Sequence, residues 1–207
     1  MNYQLKLEQL LEQIDINSPK LKLLLHACCG PCSSYCLEYL SKYFDITILY
    51  YNPNIYPDEE YHRRFNELKN FISQIPHGNQ IDILEVRYNP NEYYQAVKGL
   101  EHLGERSERC YACYKFRLEE CAKIAKEQKY DFFTTTLSIS PFKNAQWINE
   151  IGELLEKKYK VSYLYADFKK KNGYKRSIEL SKQYNMYRQD YCGCVYSKIE
   201  HDKKRME

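Results

Sequence analysis

Glycine and proline are sparse in this chain, seven of each in 207 residues, and no internal repeat or low-complexity linker divides it. A repeat array or a string of linker-joined modules is therefore excluded, and one domain large enough to bury a core without staples is expected. No apolar segment near the N-terminus, MNYQLKLEQLLEQIDINSPK, resembles a signal peptide or a spanning helix, so a cytoplasmic protein with no membrane partner is expected. Charge of one sign is not abundant either: the net charge of +3 is too mild to identify a nucleic-acid binder from the total alone. A phosphate-cradling glycine-rich loop is also missing, and with it the simplest argument for a bound ATP.

Two excesses stand beside these absences: nine cysteines and 22 tyrosines. In a reducing compartment, thiols are expected to be free, metal-bound or catalytic rather than structural disulfides. The tyrosines accompany basic clusters at HRRF (62–65), KKKNGYKR (169–176) and the tail HDKKRME. Rings stack on unpaired bases while cations hold the backbone, so the combination suits single-stranded RNA. An A·T-rich codon bias with merely solvated basic runs gives the same composition, and composition alone leaves both open.

KLLLHA (22–27), DITILYYN (45–52), QIDILEVRY (80–88), DFFTTTLSIS (131–140) and VSYLYADF (161–168) read as strands. Helical spacing lies between them: Phe65, Leu68, Phe71 and Ile72 share one face, and Leu118, Cys121, Ala122 and Ala125 another. The alternation predicts an α/β fold with a parallel sheet of about five strands, right-handed crossovers and helices on both faces. Residues 1–20 read as a helical N-terminal extension, 21–197 as a single α/β domain and 198–207 as a basic tail. Ligands of such sheets bind beyond the carboxyl ends of the strands. Cys28, Cys29 and Cys32 follow the first strand, and the SISPFKN and DFKKKNG loops follow the fourth and fifth, so the unusual residues collect at that edge.

A C-G-P-C between a strand and a helix fits a thioredoxin-like dithiol, because the helix dipole lowers a thiol pKa. Three features weigh against it: Cys28 adds a third sulfur to the same turn, C-Y-A-C (110–113) and C-G-C (192–194) have no role there, and five strands exceed the small thioredoxin core. Metal binding explains the excess better, since two C-x-x-C pairs can complete a four-sulfur site for zinc or an iron–sulfur cluster. Seven cysteines fall in motif-like groups, three more than a closed zinc site uses, so a cluster with sulfur ligands or a reactive dithiol beside it is the more economical account. Cys36 and Cys121 occupy apolar helix positions and read as small buried hydrophobes. His26 reads as a strand-end histidine satisfied by backbone.

Four blocks occur in order: LLLHACCGPCSS, YYNPNIYPDEEYHRR, RCYACYKFRLEECAKIAKEQKYDFFTTTLSISPFKN and YRQDYCGCVYS. Together, from about residue 20 to 197, the chain resembles the QueH-type epoxyqueuosine reductases. The resemblance implies a Rossmann-like fold related to the adenine-nucleotide hydrolase group. It implies cobalamin-independent reduction of epoxyqueuosine to queuosine in the tRNA anticodon loop, the last step of queuosine biosynthesis. A 4Fe–4S cluster on Cys28, Cys29, Cys110 and Cys113 is implied, with a redox-active dithiol at Cys192 and Cys194, an additional iron or other metal ion nearby, and an electron donor of unidentified nature. Relatives often carry aspartate where this chain has Cys32, which makes Cys32 a further catalytic candidate of uncertain role.

The target base must be splayed and stacked, so Tyr56, Phe142 and Tyr187 are candidate platforms and Lys143 and Arg188 candidate phosphate contacts. Two other readings compete: a thiol–disulfide oxidoreductase using Cys29 and Cys32, and a zinc-stapled RNA-binding module without redox chemistry.

Overall fold

The computed structural model describes residues 2–76 and 78–206. Met1 and Glu207, the outer ends of the two flanking segments, lie outside the described residues. Five strands, β1 (Leu21–His26), β2 (Phe44–Tyr50), β3 (Asp82–Glu85), β4 (Phe132–Thr135) and β5 (Ser162–Tyr163), form one sheet in the order β3-β2-β1-β4-β5. Every pairing is parallel. The α/β fold with a five-stranded parallel sheet is therefore the observed one, consistent with a Rossmann-like arrangement. Its helices are α1 (Tyr3–Glu12), α2 (Gly30–Leu40), α3 (Asp58–Gln74), α4 (Pro90–Ala96), α5 (Glu108–Glu127), α6 (Ala145–Tyr159), α7 (Gly173–Gln183) and α8 (Val195–Met206).

Strand alternation sends side chains to two cores. Leu23, Leu25, Ile46, Ile48 and Tyr50 face one side, where α2, α3 and α7 supply Leu37, Leu68, Phe71 and Leu180. Leu24, Leu49 and Phe133 face the other, against Leu118, Ala122, Ile148 and Ile151 of α5 and α6. Each fully buried leucine or phenylalanine contributes about 1.5–3 kcal/mol, so both faces are needed to hold the sheet flat between its helices. The segment read as an N-terminal extension is α1, which buries Leu7 and Leu11 in the first core. The segment read as a basic tail is most of α8.

Two strands are shorter than their patterns. The fourth stops at Thr135 because its hydroxyl accepts from the Leu137 N–H and turns the chain into a 3-10 helix over Thr136–Ile139. The fifth pairs only through Tyr163; beyond it Asn149 of α6 brackets Ala166, donating from Nδ2 to its carbonyl (2.9 Å) while Oδ1 accepts from its N–H (3.0 Å). The α6 helix lies close to this edge because Gly152 leaves room for the Tyr163 ring. A Cβ at 152 would fall 2.2 Å from Tyr163 Cε1, so Gly152→Ala is expected to cost about 1–3 kcal/mol of stability, measured by urea unfolding.

Candidate metal centre

Sheet order reverses between β1 and β4, and both strands deliver their following loops to the crevice there, as open α/β sheets do. A cavity of about 380 Å³ opens at this edge, lined by Cys28, Cys32, Cys110 and Cys192 together with Tyr114, Phe142, Lys143 and Arg188. A second concavity of about 450 Å³ holds no cysteine and lies between the start of α1, including Glu8, and the stretch that carries Asp167, Lys170 and Lys171.

The seven motif cysteines reach this region at three helix starts. Cys29 caps α2, its Sγ accepting from the Cys32 N–H at 3.4 Å. Cys110 sits in the first turn of α5 and Cys113 in the second, three residues apart and therefore on one face. Cys194 precedes α8, its Sγ accepting from the Ser197 N–H at 3.4 Å. Helix N-termini favour negative charge, so all three positions favour thiolates and anionic sulfur groups.

The sulfurs form two groups. Cys28, Cys29 and Cys32 have Sγ atoms within 4.8 Å of one another, a spacing one metal ion can bridge. Hydrogen bonds from Cys29 and Cys32 hold the Cys28 thiol well below its ordinary pKa, with Lys143 and Arg117 adding to the effect. Burial and the shared proton push Cys29 up to about 12, and the two neighbouring sulfurs raise Cys32. Gln189 Nε2 also donates to Cys29 Sγ at 3.1 Å. Cys110, Cys113, Cys192 and Cys194 are the other four motif sulfurs: Cys113 and Cys194 pack with Tyr93 and Val97, while Cys110 and Cys192 line the same cavity as Cys28 and Cys32. Burial pushes Cys113 up to about 12. Among the described residues, no set of three cysteines other than 28, 29 and 32 comes within single-ion reach.

Backbone contacts hold the C-G-C turn in place. Arg64 Nη1 and Nη2 donate to the carbonyls of Cys192 and Tyr191 at 3.2 and 3.4 Å, and the Tyr56 N–H donates to Gly193 O at 2.8 Å. Gly193 has φ +123, and a Cβ there would meet Arg64 Nη1 at 2.8 Å, so only glycine suits the turn. Arg64 is itself buried and paired with Glu60 at 2.7 Å, and the Tyr187 hydroxyl donates to the same carboxylate at 3.2 Å.

Of the residues read as substrate contacts, Phe142, Lys143 and Arg188 line the cavity, with Phe142 62% exposed at its rim. Tyr56 and Tyr187 are not in that lining; Tyr56 holds the C-G-C turn and Tyr187 serves the Glu60–Arg64 pair, with Arg63 stacked 3.4 Å from its ring. Burial alone would push the Lys143 ammonium down, but the neighbouring sulfurs, Cys28 among them, more than reverse it. Cys36 and Cys121 lie fully inside the two cores, and His26 is buried between Thr135 Oγ1 (2.8 Å) and Tyr51 O (3.1 Å). Gln189, Tyr114 and His201 also line the cavity; the first two stand inside the YRQDYCGCVYS and RCYACYKFRL blocks, which was the available signal for them. His201 lies in the segment read as tail, where a helical i, i+4 reading toward Ser197 was the missed clue.

The donor chemistry fits a metal–sulfur group: seven thiols, three helix N-termini and two cations, Arg117 and Lys143, meet with no carboxylate paired to either cation within 4 Å among the described residues. No described helix is long and apolar enough to cross a membrane.

Comparison with known proteins agrees. The family described as Epoxyqueuosine reductase QueH matches residues 23–200. Proteins named Epoxyqueuosine reductase QueH are 44% identical in Streptococcus pyogenes serotype M1, over 95% of this chain and 78% of the relative, and 42% identical in Staphylococcus epidermidis, over 97% and 86%. The protein of that name in Thermotoga maritima is 36% identical, over 89% of this chain and 94% of its own. With the match spanning both sulfur groups and most of the sheet, the chain belongs to the QueH family of epoxyqueuosine reductases.

Proposed function

We infer that this chain is an oxidoreductase that converts epoxyqueuosine to queuosine, acting on the base within the anticodon loop of tRNA. Family membership over residues 23–200 and relatives of that name in several bacteria carry the reaction. The cavity at the sheet's switch point, with sulfurs on one wall and Phe142, Lys143 and Arg188 on the other, supports the RNA substrate. Phe142 offers a stacking face, while Lys143 and Arg188 supply cations for phosphate or for the base's oxygen.

Turning an epoxide into an alkene takes up two electrons and two protons and releases water. Bound, a 4Fe–4S cluster would supply electrons singly and a neighbouring ion would polarise oxygen as a Lewis acid. Cys28, Cys29, Cys110 and Cys113, the set implied by the resemblance, would hold the cluster: Cys28 and Cys110 line one cavity, which supports their sharing a group. The single-ion spacing of Cys28, Cys29 and Cys32 supports Cys32 beside the adjacent ion, and Cys192 and Cys194 serve as the redox-active dithiol. Lys143 keeps its proton and places positive charge where oxygen becomes negative. Tyr114, Phe142 and Tyr191 line the same cavity. An electron donor remains required by the stoichiometry.

The test is reduction of epoxyqueuosine-containing tRNA by anaerobically reconstituted protein, read by nucleoside mass spectrometry. Queuosine should form only with protein showing broad visible absorption. Colourless protein with stoichiometric zinc, or metal-free protein that reduces disulfides without forming queuosine, would replace this reading with one of its competitors. In the same assay Lys143→Met should lower kcat by about 10²–10³-fold, the usual scale for removing one preorganised electrostatic contact. A rise in KM alone would make Lys143 a phosphate contact.

A further inference from the structure

Three arginines are buried to 2% exposure or less, and two of them have acidic partners: Arg64 with Glu60 at 2.7 Å and Arg109 with Glu200 at 3.5 Å. The third, Arg117 of α5, has none within 4 Å among the described residues. Its Nε donates to Cys113 O at 3.3 Å and its Nη1 to Asn52 Oδ1 at 3.4 Å, while its Nη2 is buried without any partner. Buried charge without a counter-charge is costly, and an unpaired buried N–H adds about 1–3 kcal/mol. These contacts place the guanidinium against the Cys113 backbone and, through Asn52, which donates to Ala27 O, beside the turn that begins at Cys28; Cys113 and Cys28 are among the groups whose charge would favour its protonated form.

We propose that Arg117 is the resident counter-charge of the metal–sulfur centre, its free Nη2 donating to a sulfur of that centre and raising its reduction potential. The inference rests on the cluster reading above but adds a residue that touches no substrate. A cation and a hydrogen bond at the sulfurs stabilise the more negative, reduced state over the oxidised one, which is one of the recognised controls on cluster potential. Loading the centre supplies an anion to a buried guanidinium whose Nη2 is otherwise without a partner, and the chain gains stability with it. Arg117 acts here as a positioning and electrostatic residue for the sulfurs.

The experiment compares wild type, Arg117→Met and Arg117→Lys, each metal-free and reconstituted with iron and sulfide. Potentials come from an anaerobic dye-mediated titration followed by electron paramagnetic resonance. At a fixed poise the reduced-to-oxidised ratio of Arg117→Met should fall at least tenfold, about 59 mV for one electron, with Arg117→Lys recovering part of the loss. Loading should also raise the thermal midpoint less in Arg117→Met than in wild type. An unchanged potential in both variants, or equal thermal gains on loading, would overturn the proposal and leave Arg117 a packing residue. Wild type that takes up no cluster fails the underlying reading instead, which visible absorption reports before any variant is compared. Should Arg117→Met not fold, the potential of Arg117→Lys decides alone: a value equal to wild type overturns the hydrogen-bond geometry.

Discussion

Cys192→Ser protein, reconstituted with iron and sulfide, is expected to keep the visible absorption of the cluster and yet to turn over at least about 10³-fold more slowly than wild type. In the proposed reading Cys192 and Cys194 are the redox-active dithiol beside the centre, and a serine hydroxyl cannot take part in thiol–disulfide exchange. Cys113→Ser should lose the absorption as well, because a serine oxygen is a harder, poorly ionised ligand and the remaining three thiols leave one corner open. Cys32→Ser is the contrasting variant: it should keep the cluster absorption but lose one metal ion per chain by elemental analysis. Should Cys192→Ser bleach instead, Cys192 would move into the ligand set. The two assignments thus part on a spectrum rather than on activity.

Arg64→Met should destabilise the protein by about 3–5 kcal/mol, the cost of stripping one partner from a buried ion pair, as measured by urea unfolding of the metal-free chain. Glu60 would be left with only the Tyr187 hydroxyl at 3.2 Å, in a setting where the carboxylate side chain is 10% exposed. The same change frees the carbonyls of Tyr191 and Cys192, so Cys192 should react faster with iodoacetamide than in wild type. Glu60→Gln combined with Arg64→Met should recover part of the stability, because no unpaired carboxylate remains, yet it should leave the fast alkylation unchanged. Recovery of both would show that Arg64 serves folding alone. Slow alkylation in Arg64→Met would show that Ser197 Oγ, which accepts from Cys192 N at 3.0 Å, and the Tyr56 N–H are sufficient anchors.

These expectations differ in how far back they reach into the sequence. Cys192 was singled out from the C-G-C spacing, and Cys113 from C-x-x-C at a helix start, since i and i+3 share a helix face in any context. Arg64 and Arg117 were not singled out. Arg64 stands in a basic run, HRR, that reads as solvated, and only the fold turns it inward while His62 and Arg63 stay exposed. Arg117 stands two residues before a half-buried glutamate in a helix whose apolar stripe reads correctly through Leu118, Cys121, Ala122 and Ala125. Nothing in a stripe tells which polar residue beside it will be drawn to a neighbouring sulfur group.

The sequence by itself determined the parallel α/β layering, the edge at which chemistry collects, the cores that absorb Cys36 and Cys121, and the four blocks that identify the family. Those follow from period-2 and period-3.6 patterns and from short spacings, which act through neighbours along the chain. Only the tertiary structure decided that Cys28, Cys32, Cys110 and Cys192 line one cavity and that a buried arginine without an acid among the described residues stands against Cys113. Those cysteines come from distant stretches of the chain, and which loops share a crevice is set by strand order and crossover direction, which the arrangement of the whole sheet alone fixes.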